Sequence, residues 1–202
     1  MIVTAAAGAM AAGATGWLGT LAGRALVAEV APLPDAPPSG RPPVAWLIGG
    51  SAVLGALLAP HATVTQLGLG AFIVFALAAA WCSDILRGIV PDICTLGPLA
   101  AMLFISLAER QLAPLVSAVI VFVPFALAAS FSKGRGMGWG DVKLAALGGA
   151  ALGAQTALLA FAVASAASFA IHRITRARAT HIAFAPYLAA AIGAGLMIGA
   201  VR

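Results

Sequence analysis

A chain of 202 residues that is 62% hydrophobic and only 8% charged, with a mean hydropathy of +1.07, is too apolar to be a water-soluble globule. Its net charge of +5 could point to nucleic acid, but the basic residues stand in short gaps between apolar runs, which is the pattern of membrane topology. The two cysteines, Cys82 and Cys94, make no Cys-x-x-Cys pair and no zinc-spaced set with histidine, so neither a metal nor any other cofactor is expected.

Eight apolar segments predict an all-α, polytopic membrane helix bundle with about eight transmembrane segments. The first runs from Ile2 to Val27. No basic residue precedes it and no cleavage site follows it, so it reads as a retained helix and not as a signal peptide. A proline-rich linker over residues 28–43 follows; its prolines lack backbone donors and rule out a helix there. The second segment is Val44–Leu58, and the third, Val64–Cys82, delivers Asp84 at its end. The fourth is Ile89–Leu107, with Asp92 in its expected first turn, and the fifth is Leu112–Phe131. After the glycine-rich stretch 132–140 comes a short sixth segment, Val142–Leu152, then Thr156–Ile171 and, beyond a basic loop at 172–181, Ile182–Val201. Pro98, Pro124 and Pro186 fall inside apolar segments, where they predict kinks. One membrane domain over residues 1–202 is expected, made of a first helix (1–27), a cytoplasmic linker (28–43) and a core (44–202).

The charges test this layout. With eight spans, one side of the membrane collects Arg24, Arg41, Arg87, Lys133, Arg135, Lys143, Arg173, Arg176 and Arg178, whereas the other holds only Arg110 and Arg202. Nine against two sets the first side as cytoplasmic and both termini outside. The Lys133, Arg135 and 173–178 charges then mark topology and anionic-lipid contact, and Trp81 and Trp139 stand where interfacial aromatics stand.

Two carboxylates fall at that same face. Asp84 ends one helix; Asp141 begins another, directly after glycines at 134, 136, 138 and 140. An ionisable group at the bilayer is costly and marks function by default. Two carboxyls at hydrogen-bonding distance share a proton, so that one activates a water as base while the other polarises a carbonyl. A helix C-terminus disfavours negative charge and an N-terminus favours it, and Lys143 is near Asp141 in sequence, so Asp84 is expected to hold the shared proton. His61, His172 and His181 are dispersed and form no ligand set.

Three sequence elements resemble the type IV prepilin peptidases, which are GxGD-type membrane aspartic proteases. Gly138-Trp139-Gly140-Asp141-Val142-Lys143 matches their GxGDxK signature. Asp84, followed by Arg87, Ile89, Pro91, Asp92 and Thr95, resembles their upstream motif, and Ala183-Phe184-Ala185-Pro186-Tyr187-Leu188 resembles a late Phe-Gly-Pro-Phe-Leu element. The resemblance covers roughly residues 64–201. It implies an aspartic endopeptidase that cuts the basic leader of prepilins or pseudopilins at the cytoplasmic face, with Asp84 and Asp141 as the catalytic pair. It also implies that Gly138 and Gly140 shape the site loop, that Lys143 supports it, and that the protein lies in the inner (plasma) membrane; Asp92, close to Asp84 in sequence, is kept as a neighbour of the site. The partners implied are the prepilin substrate and the lipid bilayer, with no nucleic acid. Many relatives also N-methylate the new terminus and carry a cysteine-containing insert after the first helix; residues 28–43 hold no cysteine, which argues for a short form without that activity. Two other readings use the same carboxylates: a proton- or cation-coupled transporter, which predicts acids near the midplane and broken helices in symmetric halves, and an inactive pilus or secretion assembly component.

Overall fold

The computed structural model of the protein describes residues 2–30, 42–132, 137–174 and 184–201. Most of the proline-rich linker, part of the glycine-rich stretch, most of the basic loop and the last residue, Arg202, lie outside the described residues. Among the described residues there are eight α-helices and no strand: α1 (Ile2–Leu26), α2 (Val44–Leu58), α3 (Val64–Arg87), α4 (Ile93–Ala108), α5 (Ala113–Ser132), α6 (Trp139–Leu152), α7 (Ala154–Ile174) and α8 (Ala185–Val201). The all-α architecture expected from hydropathy is the one adopted. α1 and α3, with most of α5 and α7, are long and apolar enough to cross a membrane; α2, α4 and α8 are apolar but shorter.

Helix ends depart from the hydropathy boundaries where backbone chemistry, not polarity, decides them. α3 does not stop at Cys82. It runs on through Ser83 and Asp84 to Arg87 and ends at Gly88, whose φ of 70° is the left-handed conformation that glycine adopts without strain. The Gly88 N–H donates to the Asp84 carbonyl at 2.8 Å, so Asp84 sits one turn inside the helix and not past its end. The other end of α3 is set by a capping box, in which Thr63 Oγ1 accepts from the Gln66 N–H and Gln66 Oε1 accepts from the Thr63 N–H. α4 starts at Ile93, so residues 89–92 are a connection and Asp92 is the cap residue before the helix. Pro186 lies in the first turn of α8, where a missing N–H costs nothing, and is not the internal kink expected for it. Pro98 and Pro124 do lie inside α4 and α5.

The short α6 is the centre of the bundle. Its 14 residues reach roughly 21 Å, less than the ~30 Å of a hydrocarbon core. It is wrapped instead by α4, α5, α7 and α8, and every residue from Leu144 to Ala150 is buried. A helix that is apolar all round belongs in such a place. The core joins Leu144 and Leu147 to Ile73 and Leu77 of α3, Val121 of α5, Phe161 of α7, and Leu188 and Ile192 of α8. Gly148 is what lets α7 and α8 close on it: a Cβ there would run into the Phe161 ring and stand 2.9 Å from Ile192 Cγ1. α1 packs on α2 and α3 in the same way, through buried Gly16, Gly19 and Gly23.

Candidate active site

Helix ends that are far apart in the chain meet at one end of the bundle. Arg87 donates its Nε–H to the Val27 carbonyl just beyond α1 (3.2 Å), which ties the end of α3 to the end of α1. Lys143 Nζ, on α6, donates to Asp92 Oδ1 at the start of α4, at 2.6 Å. The Ala185 N–H, at the start of α8, donates to Asp84 Oδ2 at 3.2 Å. Five helices therefore bring one end each to a single locus.

Asp84 is 6% exposed, and the residues before it, Cys82 and Ser83, are fully buried. A carboxyl so enclosed needs a partner, and α8 supplies it. The first N–H groups of a helix have no intrahelical acceptor, and Pro186 has no N–H, so the Ala185 N–H is the donor this helix end offers. Asp84 thus stands at the C-terminal end of its own helix and at the N-terminus of another. Truncation tests this bond. Asp84→Ala leaves the Ala185 N–H buried and unpaired, so it is expected to destabilise the fold by about 1–3 kcal/mol more than Asp84→Asn, whose amide oxygen can still accept. Denaturant titration in mixed micelles measures the difference.

Asp141 is the third residue of α6 and is partly exposed. Its Oδ2 accepts from the Gly138 N–H at 3.3 Å, reaching back over the first turn. Gly140 allows the α3–α4 connection to lie directly on this turn: a Cβ at Gly140 would stand 2.8 Å from Val90 Cβ and 3.5 Å from the Val90 carbonyl oxygen. Lys143 pairs with Asp92 and not with Asp141, because residues two apart on a helix do not face each other. This removes one ground for expecting the shared proton on Asp84. The N-terminus of α8 beside Asp84 offers that carboxyl a favourable helix end as well, while Asp84 stays in the last turn of α3, where negative charge is disfavoured.

The two aspartates are brought together. They are close enough for the charge of one to act on the other. Among the described residues α3 and α6 make no direct backbone approach; both border α4 and α8. Gly138, Gly140, Lys143 and Asp92 all gather at the same place. Sequence reasoning missed the Ala185 N–H and the Val90 contact. The late Phe184-Ala185-Pro186 element marked the region, but a backbone donor carries no side-chain signature.

An apolar cavity of about 260 Å³ lies between α2, α3 and α8, lined among others by Trp46, Leu77, Trp81, Ala189 and Met197. Its lining residues Trp81 and Ala189 each lie about one turn along their helices from Asp84 and Ala185, which do not themselves line it. Among the described residues no group of three or more His, Cys, Asp or Glu stands together as a metal site.

Four helices long and apolar enough to cross a membrane, with two buried or partly buried aspartates where helix ends converge, describe a helical membrane protein. A profile of the type IV leader peptidase family matches residues 71–172, half of the chain, with both aspartates inside the match. The chain belongs to that family and is a protease of the leader-peptidase kind. No curated protein and no solved structure matches it. The matched stretch ends before α8, so the Ala185 donor to Asp84 lies outside it.

Proposed function

We propose that the protein is an aspartic endopeptidase that removes the basic leader of a type IV prepilin or pseudopilin at the cytoplasmic face of the plasma membrane. The observation that carries this reading is the pair Asp84 and Asp141, presented by different helices, each with a backbone N–H on one carboxyl oxygen. Those donors hold one oxygen of each acid and leave the other free for water and substrate. The ionised member takes a proton from the water as its oxygen attacks the scissile carbonyl carbon. The protonated member gives its proton to the carbonyl oxygen. Collapse of the tetrahedral diol returns a proton to the departing nitrogen and breaks the C–N bond. The nucleophile in these steps is the water, and no covalent acyl-enzyme forms.

The position of the acids favours peptide cleavage over ion transport. A relay across the membrane needs carboxylates near the midplane, whereas Asp84 is one turn from the end of α3 and Asp141 is in the first turn of α6. The whole chain acts as one membrane domain, with the basic face inward and both termini outside, and releases its product unmethylated.

The test is cleavage of a prepilin from the same genome by the purified protein in detergent, run in ¹⁸O-labelled water. Direct attack by water places one ¹⁸O in the new carboxylate of the leader and leaves nothing for hydroxylamine to trap. A trapped acyl-enzyme, or proton flux through vesicles without any cleavage, overturns the proposal.

A further inference from the structure

We infer that Asp92 and Lys143 form a two-part clamp with Val90 and Gly140 that fixes the distance between the two reacting carboxyls. The inference rests on the reading of Asp84 and Asp141 as the reacting pair and assigns Asp92 and Lys143 a positioning role. Neither is placed on the water or the substrate.

The geometry has a pull and a stop. The pull is the ion pair, with Lys143 Nζ 2.6 Å from Asp92 Oδ1 across 51 residues of sequence. One partner follows Asp141 by two residues, and the other closes the connection that begins after Gly88, one turn beyond Asp84. The stop is the Val90 side chain against the Gly140 backbone, already so close that a single added carbon would stand 2.8 Å from Val90 Cβ. Attraction alone permits a range of approaches and contact alone permits separation; together they set one spacing between the start of α6 and the α3–α4 connection. α3 and α6 border the same neighbours without touching backbone to backbone, and this bridge links the α3–α4 connection to the start of α6.

The signs of the charges fit the role. Asp92 stands at the N-terminus of α4, where an acid is favourable, and its side chain makes no capping bond there. Lys143 lies near the N-terminus of α6, where a cation is unfavourable for its own helix, so its placement is explained by the partner it reaches. Asp92 is 64% exposed and Lys143 27%, and a pair so open to water adds little to global stability. Its effect is expected in geometry, where an error of about 1 Å costs up to about 100-fold in rate.

A double-mutant cycle on prepilin cleavage tests the clamp. Asp92→Asn and Lys143→Gln are each expected to lower kcat by about ten- to a hundredfold with KM within about twofold. The double variant is expected to be no worse than the weaker single one, because both remove the same link. The charge-swapped protein, Asp92→Lys with Lys143→Asp, is expected to recover most of the loss. Asp92→Glu and Lys143→Arg keep the charges and the fold, and are expected to stay within about fivefold of the wild type. Losses that multiply in the double variant, a loss carried by KM, a swap no better than the neutral double, or conservative variants as impaired as the neutral ones each overturn the clamp. The catalytic assignment fails separately: it falls if Asp84→Asn or Asp141→Asn still cleaves, whatever the clamp variants do.

Discussion

Asp84→Asn and Asp141→Asn are each expected to reduce leader cleavage by about 10³-fold or more, the scale of losing a positioned acid or base. The change is nearly isosteric. In the first variant the new amide oxygen can keep the Ala185 N–H, and in the second it can keep the Gly138 N–H, so helix ends and packing survive. What disappears is the exchangeable proton, without which neither the attack of water nor the protonation of the carbonyl can proceed. The two losses should not multiply in the double variant, since one acid without the other has no step to perform. In the wild type, kcat/KM should follow a bell in pH whose two limbs belong to the pair jointly and not to either residue. Gel-shift or mass-spectrometric rates on a prepilin, with membrane abundance checked for each variant, measure this. Cleavage at about a tenth of the wild-type rate by either variant would sink the acid–base pair.

Gly140→Ala is expected to lower kcat by about tenfold to a hundredfold while the protein still accumulates in the membrane. The added carbon meets Val90 at 2.8 Å, and because the atom struck is a Cβ next to the backbone, no rotamer change relieves it. The α3–α4 connection and the start of α6 must part, and Asp141 moves with α6. The compensating change follows from the same geometry. Val90→Ala keeps the Cβ that clashes and should not rescue. Val90→Gly removes it, so Gly140→Ala combined with Val90→Gly should recover most of the rate. Equal failure of both combinations would mean that Gly140 serves through its backbone and not through the space it leaves.

Much of this site was legible in the linear chain because chemistry that is rare in an apolar protein stands out. Six acidic residues in 202 make each carboxylate conspicuous, and Asp141 is framed by glycines whose spacing carries the family signature. Asp92 and Lys143 were visible as neighbours of the aspartates in sequence, but not as partners of each other; 51 residues and a turn of the chain separate them. The boundary at Cys82 was wrong because hydropathy falls at Ser83 and Asp84, whereas a helix ends where its hydrogen-bond ladder ends, here at Gly88. The expected proton preference of Asp84 rested on the helix ends that carry the two acids and on Lys143, and could not include the N-terminus of a helix 101 residues later.

The amino-acid order by itself determined an all-helical membrane protein with two acids in short polar breaks, because hydropathy and residue type are local properties that need no partner. It also determined which residues are scarce enough to do chemistry. Only the tertiary structure decided that α6 is the buried centre, that Ala185 donates to Asp84, and that Lys143 reaches Asp92 and not Asp141. Those are distances between elements far apart in the chain. They follow from how closely backbones can approach at residues such as Gly140 and Gly148, and from which helix ends are left with unpaired N–H groups to satisfy.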